Sequence, residues 1–114
     1  MGNIIVANRS WKRVEGFEYI DIMRGSVLGN PFPMKDESKE ERKRVIQEFK
    51  QFLWKKMNEE PNKISWEMMR LARMNTVDIK LMCCCKPLDC HGDVIKAGVE
   101  WLRQKNNLIQ TNKS

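Results

Sequence analysis

The sequence predicts an α/β fold: one small sheet with helices, in the order β-β-α-α-β-α, folded as a single domain over residues 1–105 with a flexible polar tail over 106–114. Two short runs near the N-terminus are rich in β-branched and apolar residues. A long central segment repeats apolar residues every three or four positions. A third strand-like run then sits between two helical segments, which calls for at least one crossover between parallel strands.

Asn3–Asn8 (NIIVAN) reads as a buried strand, and Glu18–Met23 (EYIDIM) as a second. Between them, the charged run from Arg9 to Glu15 reads as a loop. Arg24–Pro33 must be irregular, because Gly25, Gly29, Pro31 and Pro33 crowd it and proline disfavours helix at the residue before it. Asp36 or Ser38 can cap the next helix, which runs to about Asn58 with Val45, Ile46, Phe49, Phe52, Leu53 and Met57 on one stripe. Pro61 ends it, and Ser65 is the expected cap of a shorter helix carrying Trp66, Met69, Leu71, Ala72 and Met74. Val77–Cys84 (VDIKLMCC) alternates as a strand should. The last helix opens at Gly92 or Asp93 and carries Val94, Ile95, Gly98, Trp101 and Leu102 on one side.

Composition narrows the function. At 114 residues the chain can bury one modest core, and a second copy of the chain as a homodimeric partner would help bury its tryptophans and methionines. No apolar run is long enough to cross a membrane. The N-terminus lacks the pattern of a secretory leader, and Val6 stands where a myristoylation signal needs Ser or Thr. Four cysteines within eight positions, three of them adjacent, do not make a disulfide framework, so a reduced cytoplasmic setting is expected. The net charge of +6 comes largely from the charged helix, where interleaved acids suggest a solvated face. Attraction of an anionic ligand is the functional alternative. Nucleic acid is disfavoured because aromatics are not interleaved as a stacking platform requires.

Two stretches concentrate the chemistry. Cys83–Ile95 (CCCKPLDCHGDVI) holds every cysteine and the only histidine. Cys83, Cys85, Cys90 and His91 are soft ligands, yet their spacing matches no usual zinc pattern and no second cluster exists, so no metal or other cofactor is expected. If the strand continues, Cys83 and Cys85 share one face and Cys84 takes the other. Cys90 just before a helix, with His91 beside it and Asp93 nearby, is a candidate catalytic group, since a helix N-terminus lowers a thiol pKa. The same strand, loop and helix could hold an anion, with Lys86, Pro87, His91, Gly92 and Asp93 lining it. The plain alternative is that the cysteines are buried small residues and His91 satisfies the loop backbone. Arg24–Phe32 (RGSVLGNPF) has matching character: Arg24 can grip phosphate, Gly25 and Gly29 allow close approach, and Ser26 and Asn30 can hydrogen-bond a ligand. It is neither a Walker loop nor a dinucleotide fingerprint. Phe32 can pack on a base or simply join the core.

RGSVLGNPF followed by a charged amphipathic helix and LMCCCKPLDCHGDVI resembles a family of small, functionally uncharacterised domains of bacteria and phages, whose members read RGSxLGNPF and CxCxPxxCHGDxI. The resemblance spans about Tyr19 to Leu102 and departs at Cys84, where a bulky residue such as Trp often stands. Phage membership implies a host-interaction role, such as sequestering a signalling nucleotide of bacterial immunity. The expectation is thus a protein that binds a phosphorylated nucleotide-type molecule, derived from ADP-ribose or a cyclic nucleotide. A small nucleotide-modifying enzyme using Cys90, His91 and Asp93 is one alternative, and a zinc-stabilised interaction module another.

Overall fold

A computed structural model describes residues 2–59, 61–86 and 88–113, with the backbone alone for 106–113. The elements are β1 (Ile4–Asn8), β2 (Phe17–Asp21), α1 (Lys39–Asn58), α2 (Lys63–Arg73), β3 (Asp78–Cys83) and α3 (Gly92–Lys113). The expected order is the observed one. The bounds of α3 take in most of the segment expected as a tail, whose side chains lie outside the described residues.

The three strands form one parallel sheet in the order β1-β3-β2. The last strand in sequence is therefore the central one, with Ile4 opposite Ile79 on one side and Phe17 opposite Asp78 on the other. Alternation along the strands sorts the side chains by face. Ile4, Ile20, Ile79, Leu81 and Cys83 join a single core with Phe49, Leu53, Met68, Leu71, Ile95 and Val99 from the helices. The opposite face carries Ile5, Phe17, Tyr19, Asp21, Lys80 and Met82 by register, outside that core. Residues 9–16 link β1 to β2 without a helix, shorter than parallel crossovers usually are. Tyr19 fastens this link: its hydroxyl accepts from the Val14 N–H at 2.7 Å and donates to the Val14 carbonyl at 2.9 Å.

Local chemistry sets the helix ends. Ser38 caps α1, its hydroxyl accepting from the Glu41 N–H at 3.1 Å. The cap of α2 differs from expectation. Asn62, not Ser65, is its N-cap, and Ser65 closes a reciprocal capping box from the third helical position. Within α2, Met68, Leu71 and Ala72 are buried, whereas Trp66 is 68% exposed. Trp101 on α3 is also half out, resting edge-on against Trp54 at 5.2 Å. The second strand ends at Asp21 rather than Met23, because the Asp21 carboxylate takes the Met23 N–H at 2.8 Å and turns the chain out of the sheet.

Arg103 ties the elements together at the end of the molecule opposite the cysteines. It is 6% exposed and faces carbonyls instead of a carboxylate. Its guanidinium donates to Leu71, Ala72 and Met74 at the C-terminus of α2 and to Gly2 ahead of β1. The last carbonyls of a helix run short of partners within it, although that of Leu71 also accepts the Met74 N–H at 3.2 Å, and a cation there answers the helix dipole.

Candidate functional site

Because the strands run parallel, all three deliver their following loops to one edge of the sheet. That carboxyl edge is where open α/β sheets hold ligands. The loop after β2 carries Arg24 to Phe32, and the loop after β3 carries the cysteines. The two stretches singled out by sequence meet there.

They line a half-open cavity of about 120 Å³. Arg24, Asn30 and Phe32 line it from the β2 loop, and Cys83, Cys84, Cys85, Cys90 and His91 from the other side. α1 closes it with Arg42, Val45 and Ile46. The strand stops at Cys83, so the expected alternation of the cysteines does not apply; all four line the cavity, Cys83 from the end of β3, Cys84 and Cys85 from the bend after it, and Cys90 from just ahead of α3.

His91 is the clasp between the two stretches. Its Nε2 lies 2.7 Å from the Ile22 carbonyl, and its ring packs edge-on against Phe49 at 4.9 Å. Burial pushes its pKa below the ordinary histidine value; the carbonyls of Ile22 and Leu28 oppose that shift, and the nearby Arg24 charge adds to it. The ring is therefore neutral at pH 7 and donates from Nε2. Since Ile22 and Leu28 flank the start of the Arg24 loop, this residue fixes that loop to the head of α3.

Cys90 sits in the same floor. Its thiol lies 3.5 Å from Cys83 Sγ, and it accepts the Gly92 N–H at 3.3 Å. Burial, then the neighbouring Cys83, push its pKa up to about 12. The lowering expected from its place before a helix does not occur, because dehydration outweighs the helix N-terminus. Cys85 is raised too, chiefly by burial, with a hydrogen bond from Arg42 working the other way. Among the described residues no group of three or more His, Cys, Asp or Glu is arranged to hold a metal ion.

The remaining expected site residues divide. Lys86 and Asp93 pair with each other at 2.8 Å, and Asp93 also accepts from the Cys90 N–H at 3.3 Å. Together they close the loop outside the cavity and occupy the head of α3. Gly92 is packed: a methyl group there would lie 2.7 Å from Val6 Cγ1 and 2.8 Å from Ile22 Cδ1. Pro87 lies outside the described residues. In the β2 loop, Ser26 spends its hydroxyl on the Met23 carbonyl at 2.6 Å, and Asn30 takes the Phe32 N–H at 2.9 Å. Gly25 has a φ of 97°, which favours glycine. Gly29 admits no side chain, since a Cβ would sit 2.5 Å from the Met23 carbonyl oxygen. These residues shape the loop, and its cation, Arg24, has no ion pair among the described residues.

Two contributors escaped the sequence reading. Arg42 lay among the charges assigned to a solvated face, yet it donates to the Asp89 carbonyl at 3.2 Å and lines the cavity. Its spacing to Val45, Ile46 and Phe49 places it on the apolar stripe, and that was the available signal. Asn8, at the end of β1, donates to the Lys86 carbonyl at 2.7 Å and supports the cysteine loop from below.

An α/β domain with a half-open pocket at the carboxyl edge of a parallel sheet is the class these observations define. Residues 6–101 match the family described as a domain of unknown function, DUF4326, and the chain belongs to that family. No curated protein and no solved structure matches it. No helix among the described residues is long and apolar enough to cross a membrane.

Proposed function

We propose that the protein binds a phosphorylated, nucleotide-type small molecule at the cavity between the Arg24 loop and the cysteine loop. The observation that carries this reading is the convergence of Arg24 and Arg42 on one half-open pocket at the carboxyl edge of the sheet. Neither guanidinium has a carboxylate partner among the described residues. Guanidinium forks suit phosphoryl oxygens, and low-dielectric walls strengthen the contact. At about 120 Å³ the space suits a compact group such as a phosphoryl, with the rest of the ligand outside.

Binding is favoured over chemistry by the state of the candidate catalytic groups. Cys90 is a protonated thiol at neutral pH, His91 holds the loop, and Asp93 is paired with Lys86. A binder that leaves its ligand intact acts by sequestering it.

Isothermal titration with AMP, cyclic AMP and ADP-ribose tests the reading. At least one should bind, and be recovered unaltered after denaturation. Arg24→Ala should weaken that binding by about 1–3 kcal/mol, roughly 5- to 150-fold. Failure of all three to bind, or equal affinity for the variant, would count against the site.

A further inference from the structure

Behind the first cavity, across the rim of the sheet, lies a second one of about 390 Å³. It is lined by Arg9, Arg13, Tyr19, Asp21, Met23 and Met82. By register, Tyr19, Asp21 and Met82 belong to the sheet face away from the helical core. The two cavities share one wall, because Met23 lines both. Its flexible thioether chain can adapt to a ligand that reaches from one to the other.

The chemistry of this second space is distinct. Arg9 reaches the sulfur of Met23, at 3.6 Å, and Arg13 lies over the Tyr19 ring at 4.8 Å. Among the described residues neither has a carboxylate within salt-bridge distance. Asp21 accepts the Met23 N–H through Oδ1, which leaves Oδ2 for another donor. Two guanidiniums alone would call for an anion. A carboxylate beside them disfavours a bare anion and favours a group that also offers hydroxyl donors, as a sugar does.

We infer that the ligand has two ends and straddles Met23. One phosphoryl group enters the inner cavity at Arg24 and Arg42; a linked sugar with its own phosphoryl group occupies the outer cavity, phosphate oxygens on Arg9 and Arg13 and a hydroxyl on Asp21. This makes the ligand a pyrophosphate-linked sugar nucleotide rather than a mononucleotide. It rests on the reading of the inner cavity as a phosphoryl site and extends it to a ligand class.

Titration with AMP and ADP-ribose, on the wild type and on three variants, separates the two ideas. The wild type should bind ADP-ribose about 100-fold more tightly than AMP, as two extra charge-assisted contacts allow. The double variant Arg9→Gln, Arg13→Gln should remove most of that advantage and leave AMP affinity within about twofold, since it spares the inner contacts. Asp21→Asn, which keeps an acceptor for the Met23 N–H, should weaken ADP-ribose about tenfold through the lost hydroxyl contact. Arg24→Gln should weaken both ligands. Equal affinity for AMP and ADP-ribose in the wild type overturns the two-ended ligand and leaves the inner site standing. Tighter ADP-ribose binding by Asp21→Asn overturns the sugar assignment. No binding of either probe overturns both readings.

Discussion

Replacing Arg103 by alanine should destabilise the protein more than the loss of a surface arginine would. The guanidinium makes four contacts to carbonyl oxygens, at 2.8 Å to Met74, 3.1 Å to Ala72, 3.3 Å to Leu71 and 2.5 Å to Gly2. A hydrogen bond from a charged donor contributes about 1.5–3 kcal/mol, and orphaning a buried carbonyl costs about 1–3 kcal/mol. These contacts act as one unit and do not add, and the carbonyl of Met74, which is only partly buried, can recover water. A loss of about 3–4 kcal/mol is the expected result, a large share of the 5–15 kcal/mol typical of a whole domain. Urea unfolding followed by circular dichroism should show the midpoint falling with an unchanged slope. Arg103→Lys should recover only part of the loss, because one ammonium cannot fork to carbonyls on two segments. A loss under about 1 kcal/mol for Arg103→Ala would refute the clamp, since less than one charged hydrogen bond would then be at stake.

Two further outcomes follow from the site. The lowered pKa of His91 means that, just below about pH 6.5, the unfolded chain takes up a proton that the folded one does not, so stability should fall as pH drops below about 6.5, by at most about 1.4 kcal/mol per pH unit. His91→Asn should flatten that slope in urea titrations, and an equal slope in both proteins would place the titration elsewhere. Iodoacetamide at pH 7.5, read by mass spectrometry, should label the exposed Cys84 first and reach Cys83 and Cys90 only on denaturation. Labelling of Cys90 at the rate of Cys84 would show that its thiol is neither buried nor raised.

The elements were legible because each leaves a local signature. The stripe from Val45 to Met57 and the short apolar strands need no knowledge of their partners. The two loops were also found, because glycine, proline and cysteine mark them in sequence. Roles inside the site were not. His91 is bonded across 69 positions, Asn8 across 78, and Arg103 to Gly2 across 101. Such contacts have no period, so a side chain that fastens two segments looks in sequence like one awaiting a ligand. Lys86 and Asp93 show the same limit from the other side: both suit an anion site, and each has instead found the other. Asn62 hid the cap of α2 because Ser65, the more conspicuous residue, serves three positions into the helix.

The placement of β3 at the centre of the sheet also sets an order of assembly. Among the described residues β1 and β2 each pair with β3 alone, at residues 78–83, so neither has a strand partner while the chain before it is being made. Synthesis proceeds from the N-terminus, and α1 and α2 can form from local contacts in the meantime. The sheet then closes in one event that brings Ile4 to Ile79 and Glu18 to Ile79 from opposite sides. The same event creates the carboxyl edge, because the Arg24 loop and the cysteine turn have no fixed relation until β3 is in place. A nascent chain stopped before Asp78 therefore lacks the binding site altogether, rather than holding a weakened version of it.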